Sequence, residues 1–157
     1  MKLHAYGIEI DLPRGWDGRI FRRNDADPTL HAANFPLPAA DGDFGSGATA
    51  RMPHGGALLV IKEYRAGPRL VPGTGLFASK SIPIPLHTGH FHPRGLQVGR
   101  PGQAGFQHFF TAAGRPFCIY AVVKSPSTAA TIASGAHGQV AQLSRLASSL
   151  RFHRHSR

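Results

Sequence analysis

The opening of the chain shows the alternation of a half-buried β-strand and is then broken by turn residues. Residues 8–12 read Ile–Glu–Ile–Asp–Leu, which places the apolar side chains on one face of a strand. A Pro–Arg–Gly–Trp turn at 13–16 ends this strand, and residues 19–23 are predicted to run back as its hairpin partner. Residues 30–35 are a third candidate strand. This region therefore predicts an antiparallel sheet.

The middle of the chain combines one strongly apolar strand with a long irregular segment. Residues 57–64 contain four consecutive aliphatic residues and predict a strand buried on both faces. Residues 48–52 favour a short helix. Residues 65–75 are predicted to form a Gly/Pro loop, and residues 76–104, which hold four prolines, predict irregular structure with short extended pieces. Irregular segments of this length within a domain are usually functional or mobile.

A hairpin and terminal helices are predicted for the last third of the chain. Residues 106–111 and 117–123 have the composition of two paired strands around a central turn. Ser125 is a suitable N-cap for a helix with Pro126 at its first position. A further helix is predicted over 139–150, where one apolar stripe comprises Val140, Leu143, Leu146, Ala147 and Leu150.

This order of elements predicts an α+β fold, with helices packed on the faces of an antiparallel β-sheet. The length of 157 residues fits one domain, which we assign to residues 1–152. Residues 153–157 form a basic tail, and the chain is expected to fray over 151–157.

Three segments resemble the Mog1/PsbP-like fold family. Residues 8–16 (IEIDLPRGW) are similar to the strand and Pro–Gly–Trp turn of that family. Residues 101–123 (PGQAGFQHFFTAAGRPFCIYAVV) resemble its long hairpin, and residues 143–152 (LSRLASSLRF) resemble its closing helix. The resemblance implies an αβα sandwich and an accessory or binding module that acts on a protein partner. It carries over no functional residue.

The cysteine content and the apolar segments of the chain indicate its cellular location. Cys118 is the only cysteine, so no internal disulfide can form. The first residues lack the apolar segment of a signal peptide. The longest apolar run, 117–123, is far shorter than the roughly 20 residues that a membrane-spanning helix needs. These features predict a cytoplasmic protein without a transmembrane segment, and they leave the oligomeric state open.

Charge is distributed unevenly along the chain. The formal net charge is +10, and all eight acidic residues lie within the first 63 positions, beside seven basic ones. Residues 64–157 hold eleven basic residues and no acidic one. This asymmetry predicts an anionic macromolecular partner, a protein ahead of a nucleic acid. A codon bias toward arginine is the alternative explanation. The candidate partner-binding residues lie in the loop-rich middle of the chain: Arg65, Arg69, Arg94 and Arg100.

Histidines supply the main candidate metal ligands. His87, His90 and His92 lie within six residues, and imidazole nitrogens bind Zn²⁺ and similar ions. Their spacing matches no standard zinc motif, so no metal and no cofactor are expected. A loop of solvated histidines is the simpler interpretation.

Other candidate motifs are better explained by structure than by chemistry. Asp41 and Asp43 lie in a Gly-rich turn that lacks the bidentate glutamate of a calcium loop. Cys118 is expected to be a buried core residue without an activated thiolate. The aromatic residues of the predicted hairpin are expected to be core rather than a base-stacking surface.

No catalytic residue is assigned, and the sequence favours a non-enzymatic binding or accessory domain with a protein partner. A nucleic-acid or polyanion binder that uses the acid-free region 64–157 is the first alternative. A metal-dependent enzyme built on His87, His90 and His92 is the second.

Overall fold

The computed structural model of the chain describes residues 1–125 and 135–155. They form eight strands, two α-helices and three short 3₁₀ turns, at Gly75–Phe77, Thr88–His90 and Pro93–Gly95. The strands are β1 (Lys2–Ala5), β2 (Ile8–Asp11), β3 (Asp17–Phe21), β4 (Thr29–Ala33), β5 (Ala57–Glu63), β6 (Gln103–Ala112), β7 (Arg115–Lys124) and β8 (Arg151–Phe152). The helices are α1 (Ser46–Ala50) and α2 (His137–Ser148).

A five-stranded antiparallel sheet with the order β3-β4-β5-β7-β6 is the centre of the fold. Its three inner strands, β4, β5 and β7, are buried along almost their whole length, as the aliphatic run at 57–64 predicts for β5. Alternate side chains of β5 enter two different cores. Leu59 and Ile61 belong to the larger core, whereas Leu58 and Val60 belong to the smaller one.

Each face of this sheet is covered by a different layer. The larger core lies between the sheet, α2 and the small strands, and the smaller core lies beneath α1 and its flanking loops. The α+β class with antiparallel strands is therefore confirmed.

Helix α2 contributes the apolar stripe that its sequence predicts. Leu143 is fully buried and Val140 and Leu146 are nearly so, while Arg145 faces outward. Leu150 is also buried but lies just beyond the end of the helix. The helix predicted from Ser125 and Pro126 falls on residues 126–134, which lie outside the described residues.

A second antiparallel sheet has the order β1-β2-β8. Its first hairpin turns at Tyr6 and Gly7, which both have positive φ, of 52° and 74°. Two-residue hairpin turns of this kind follow the right-handed twist of the strands. The register places His4 of β1 directly opposite Glu9 of β2.

The expected pairing of residues 8–12 with 19–23 is wrong. Strand β2 pairs instead with β1 and β8, and β3 pairs with β4 in the larger sheet. The Tyr6–Gly7 turn supplies β2 with a nearer hairpin partner, which leaves β3 free to pair with the strand that follows it.

The irregular segment between β5 and β6, residues 64–102, runs along the edge strand β6. The backbones of His92 and Gly105 exchange two hydrogen bonds of 3.0 and 2.9 Å, and Thr111 donates its N–H to the carbonyl of Ser79 at 2.8 Å. These bonds occupy backbone groups that an edge strand otherwise exposes. None of the described helices is long and apolar enough to cross a membrane.

Candidate anion-binding cleft

A buried ion pair lies where the two sheets meet. Arg115, at the start of β7, donates to both carboxylate oxygens of Glu63, at the end of β5, at 3.1 and 2.7 Å. The same guanidinium donates to the carbonyls of Tyr6 and His153, both at 2.8 Å. The Arg115 and Glu63 side chains are only 1% and 2% exposed. Because burying charge is costly without such partners, the pair fixes the three segments that it joins.

The C-terminal segment is held by this network. The N–H of His153 donates to the carbonyl of Gly7 at 2.8 Å. His155 reaches the same carboxylate as Arg115, with Nε2 2.7 Å from Glu63 Oε2. Where the sequence predicts a frayed tail, the structure places residues 151–152 in β8. His153 and His155 have partners in β2, β5, β7 and the Tyr6–Gly7 turn.

A cleft of about 500 Å³ opens beside the ion pair. It is lined by residues 4–7 of the first hairpin, by Arg22, by Asp27–Pro28 before β4, and by Arg154–His155. The first hairpin and the C-terminal segment are joined through Arg115, so two of these four lining segments are held by one buried side chain.

The cleft is electropositive at its walls. Arg22 donates to the carbonyl of Ala26 at 3.0 Å and lies 5.5 Å above the ring of Tyr6. Within the described residues, neither Arg22 nor Arg154 forms an ion pair with a carboxylate. Among the described residues that line the cleft, Asp27 is the one carboxylate.

Asp27 adds little negative charge to the cleft, because Arg65 neutralises it. Arg65 Nε is 3.3 Å from Asp27 Oδ2, and the same guanidinium donates to the carbonyl of Asp25. The charge at the cleft walls, as far as the described residues show it, is therefore mainly that of Arg22 and Arg154. His155, oriented by a buried carboxylate, has the arrangement of a general base, but the described part of the chain contributes no serine, threonine or cysteine to the cleft lining.

Three potential metal ligands meet on the small sheet. Atoms of His4, Glu9 and His153 that can bind a metal all lie within 4.8 Å of one another. His153 forms a short hydrogen bond with Glu9, and Lys2 lies 3.8 Å from the other carboxylate oxygen. The hydrogen bond from His153 lowers the pKa of Glu9, with smaller contributions from the nearby charges.

The four arginines singled out from the sequence do not form one site. Arg65 and Arg69 line a shallow depression formed by residues 65–70. Arg65 also forms an ion pair with Asp27, which lines the cleft. Arg94 is exposed in a 3₁₀ turn. Arg100 is half-buried against α1 and donates to Thr49 and Ser46 at 3.3 and 3.2 Å.

The histidine cluster at 87–92 is held by local backbone bonds. His90 Nδ1 accepts the N–H of His87 at 2.9 Å, and His92 Nδ1 accepts the N–H of Arg94 at 3.0 Å. Each of these two rings thus has one nitrogen occupied. Among the described residues, the set with metal-binding spacing is His4, Glu9 and His153 instead.

The other candidate motifs have structural roles. Asp41 accepts the N–H groups of Gly42, Gly47 and Ala48 at 2.7–3.0 Å, which confirms its role in a local turn. Cys118 is fully buried, and burial raises the pKa of its thiol to about 11. The hairpin aromatics are mostly core, with Phe106, Phe110, Phe117 and Tyr120 buried.

Sequence reasoning missed the cleft because its walls come from distant parts of the chain. One local signal was available: Gly7 stands between two segments of alternating polarity, and this pattern is typical of a β-hairpin turn. No sequence signal connects Arg22 with Arg154, or Glu63 with Arg115 and His155. In comparisons with known proteins, no family model, no curated protein and no solved structure matches this chain.

Proposed function

We propose that the protein is a binding domain that receives an acidic segment of a protein partner in the cleft formed by the first hairpin, Arg22 and the C-terminal segment. One observation carries this proposal: Arg22, Arg154, His4 and His155 line the cleft, while Asp27, the single carboxylate among its described lining residues, is paired with Arg65.

The size and shape of the cleft favour side-chain carboxylates over a nucleic-acid duplex. A volume of about 500 Å³ is in the range that holds a small ligand or a few side chains. Guanidinium groups bind carboxylates through two parallel hydrogen bonds. A duplex would require a longer basic surface, whereas Arg100 is turned toward Ser46 and Thr49.

The exposed ring of Tyr6 adds an apolar wall. Tyr6 is 48% exposed, and Ala5 and Pro28 lie beside it in the lining. An aromatic side chain next to arginines is typical of the anchor positions of protein interfaces. A peptide with acidic residues next to an apolar one therefore fits the cleft better than a uniformly charged polymer does.

The architecture and location form part of the same proposal. A sheet covered on one face by α2 and on the other by α1 and its loops supports the Mog1/PsbP-like αβα sandwich, which superposition of an experimental structure would test. The unpaired, buried Cys118 supports a cytoplasmic location, which fractionation of cells would test.

Fluorescence anisotropy with a labelled glutamate-rich peptide tests the binding proposal, with EDTA present throughout. Arg22→Gln combined with Arg154→Gln is expected to weaken binding about ten-fold, since two exposed charge contacts of ~0.7 kcal/mol each sum to one decade. The matched control, Arg14→Gln with Arg145→Gln, removes the same charge at two exposed positions outside the cleft. It is expected to change the affinity less than two-fold.

A duplex DNA of equal charge serves as the competing ligand. An acidic-segment site predicts that the peptide binds more tightly than the DNA at ~150 mM salt, where surface charge is screened. Tighter DNA binding, with affinity falling by about 0.9 decades per decade of salt for each phosphate contact, would favour the nucleic-acid alternative. Equal effects of the cleft and control variants would contradict the cleft.

A further inference from the structure

We propose that His4, Glu9 and His153 bind a divalent transition-metal ion of the zinc class. Two imidazole nitrogens and one carboxylate oxygen make up the protein ligands of many zinc sites, with a fourth position left for water or another ligand. In this protein the three ligand atoms lie within 4.8 Å of one another on the outer surface of the small sheet. The proposal stands on these three residues and does not depend on what the cleft binds.

The spacing is close to what a zinc ion requires. Ligands placed 2.0–2.1 Å from a tetrahedral ion lie roughly 3.3 Å apart. His153 and Glu9 are already in hydrogen-bond contact, so the remaining adjustment falls mainly on His4. His4 is exposed, and a small rotation of its side chain brings the third ligand into place.

The backbone holds all three ligands in position. His4 and Glu9 are directly opposite each other in the β1–β2 pair, which puts both side chains on one face of the sheet. The backbone of His153 is fixed on both sides, because its N–H donates to Gly7 and its carbonyl accepts from Arg115, each at 2.8 Å. The buried Arg115 therefore positions a ligand that belongs to the C-terminal segment.

The two basic side chains next to Glu9, Lys2 and Arg151, do not block the proposed metal position. Lys2 lies 3.8 Å from Glu9 Oε1, whereas His153 contacts Oε2, and the Lys2 side chain is 62% exposed on a flexible stem. Arg151 is paired with Glu9 in the β2–β8 register, but its guanidinium donates to the carbonyls of Ser148 and Leu150. An ion thus replaces the hydrogen bond between His153 and Glu9 and displaces Lys2 alone.

Isothermal titration of tag-free, metal-stripped protein with ZnCl₂, in a buffer that coordinates zinc weakly, tests the site. We expect one ion per chain. His153→Ala and His4→Ala should each weaken binding by at least about 100-fold, because loss of a direct ligand costs no less than loss of its supporting partner. The control His87→Ala with His90→Ala removes the other histidine pair and should leave the affinity unchanged.

Cobalt provides a second readout. Co²⁺ bound at a four-coordinate site gives visible absorption bands, which should appear in the wild-type protein and in the His87/His90 control but not in the His4→Ala variant. His4 forms no side-chain hydrogen bond among the described residues, so His4→Ala should keep the fold. This variant therefore tests metal binding even if His153→Ala unfolds the protein. Absence of saturable zinc binding, or binding that survives His4→Ala, or binding that is lost in the control, would overturn the proposal.

Discussion

Arg115 and Glu63 form a bidentate ion pair that is almost completely shielded from solvent, with 1% and 2% of their side chains exposed. The pair connects the central sheet to both the first hairpin and the C-terminal segment. Two of the four segments that line the cleft, the first hairpin and the C-terminal segment, therefore depend on this buried pair.

Breaking this pair is expected to destabilise the protein strongly. Glu63→Gln retains the size of the side chain but leaves the buried guanidinium without its counter-charge, which should lower the free energy of unfolding by about 3–5 kcal/mol. Urea denaturation measures this change. As a control, Asp27→Asn breaks the exposed pair with Arg65 and should cost less than about 1 kcal/mol. Similar values for the two variants would show that Arg115 and Glu63 are not a structural pair.

Gly7 is required both by its φ and by the nearness of Arg115. A Cβ added at Gly7 would lie 2.5 Å from Arg115 Nη1, and that guanidinium is fixed by four hydrogen bonds. Gly15 is the matched control, because it also has positive φ, of 85°, but nothing lies within 4 Å of an added Cβ. Gly15→Ala should cost about 1 kcal/mol for φ alone.

Gly7→Ala should cost at least ~1 kcal/mol more than Gly15→Ala in the same urea measurements, because overpacking adds to the cost of φ. Equal costs would mean that Arg115 moves freely away from the turn.

Helix α2 depends on its buried stripe. Leu143 is fully buried in the larger core, and Leu143→Ala should lower the free energy of unfolding by about 2–5 kcal/mol through lost burial and the cavity left behind. Arg145→Ala, on the exposed side of the helix, should change it by no more than ~0.5 kcal/mol. An unchanged melting temperature for Leu143→Ala would remove α2 from the core.

Stability should fall as the pH is lowered through about 6.5. His31 is 1% exposed, and its Nε2 lies 2.9 Å from the carbonyl of Asp43. Burial lowers the pKa of His31 below the ordinary value of 6.5, although the bond to Asp43 partly opposes this shift. Below pH 6.5 the unfolded chain therefore binds more protons than the folded protein. The population of the unfolded chain consequently grows as the pH falls.

The contribution of His31 is fully present above pH 6.5 and is lost toward its lower folded pKa, with a slope of at most ~1.4 kcal/mol per pH unit. Thermal melts from pH 5 to 8 would show this slope decreasing in His31→Gln but not in His54→Asn, which alters an exposed histidine. A slope that His31→Gln leaves unchanged would assign the pH dependence to other groups.

Elements with a strong local pattern could be predicted from the sequence, and contacts between distant segments could not. The run at 57–64 specifies a buried strand because its apolar side chains must leave water on both faces. The stripe around Leu143 specifies α2 for a similar reason. The partners of Arg115 include Tyr6 and His153, which are 109 and 38 residues away and contribute only carbonyl groups.

Backbone groups carry no sequence signal, so the C-terminal segment looked like a free basic tail. The cleft and the His4–Glu9–His153 cluster were missed because their side chains come from segments that are far apart in the sequence. His87 and His90 are conspicuous in the sequence because they are close together, whereas His4 and His153 become neighbours only when β2 pairs with both β1 and β8.

Mapping of amide chemical shifts during titration with a glutamate-rich peptide tests the central claim, that the cleft is the anion site. The largest changes should fall on residues 4–7, Arg22, Asp27 and 154–155, which line the cleft, and they should saturate together. Arg94 and Arg100, which carry similar charge elsewhere on the surface, should shift little. Changes spread evenly over all arginine-bearing surfaces, or centred on Arg94 and Arg100, would contradict the account.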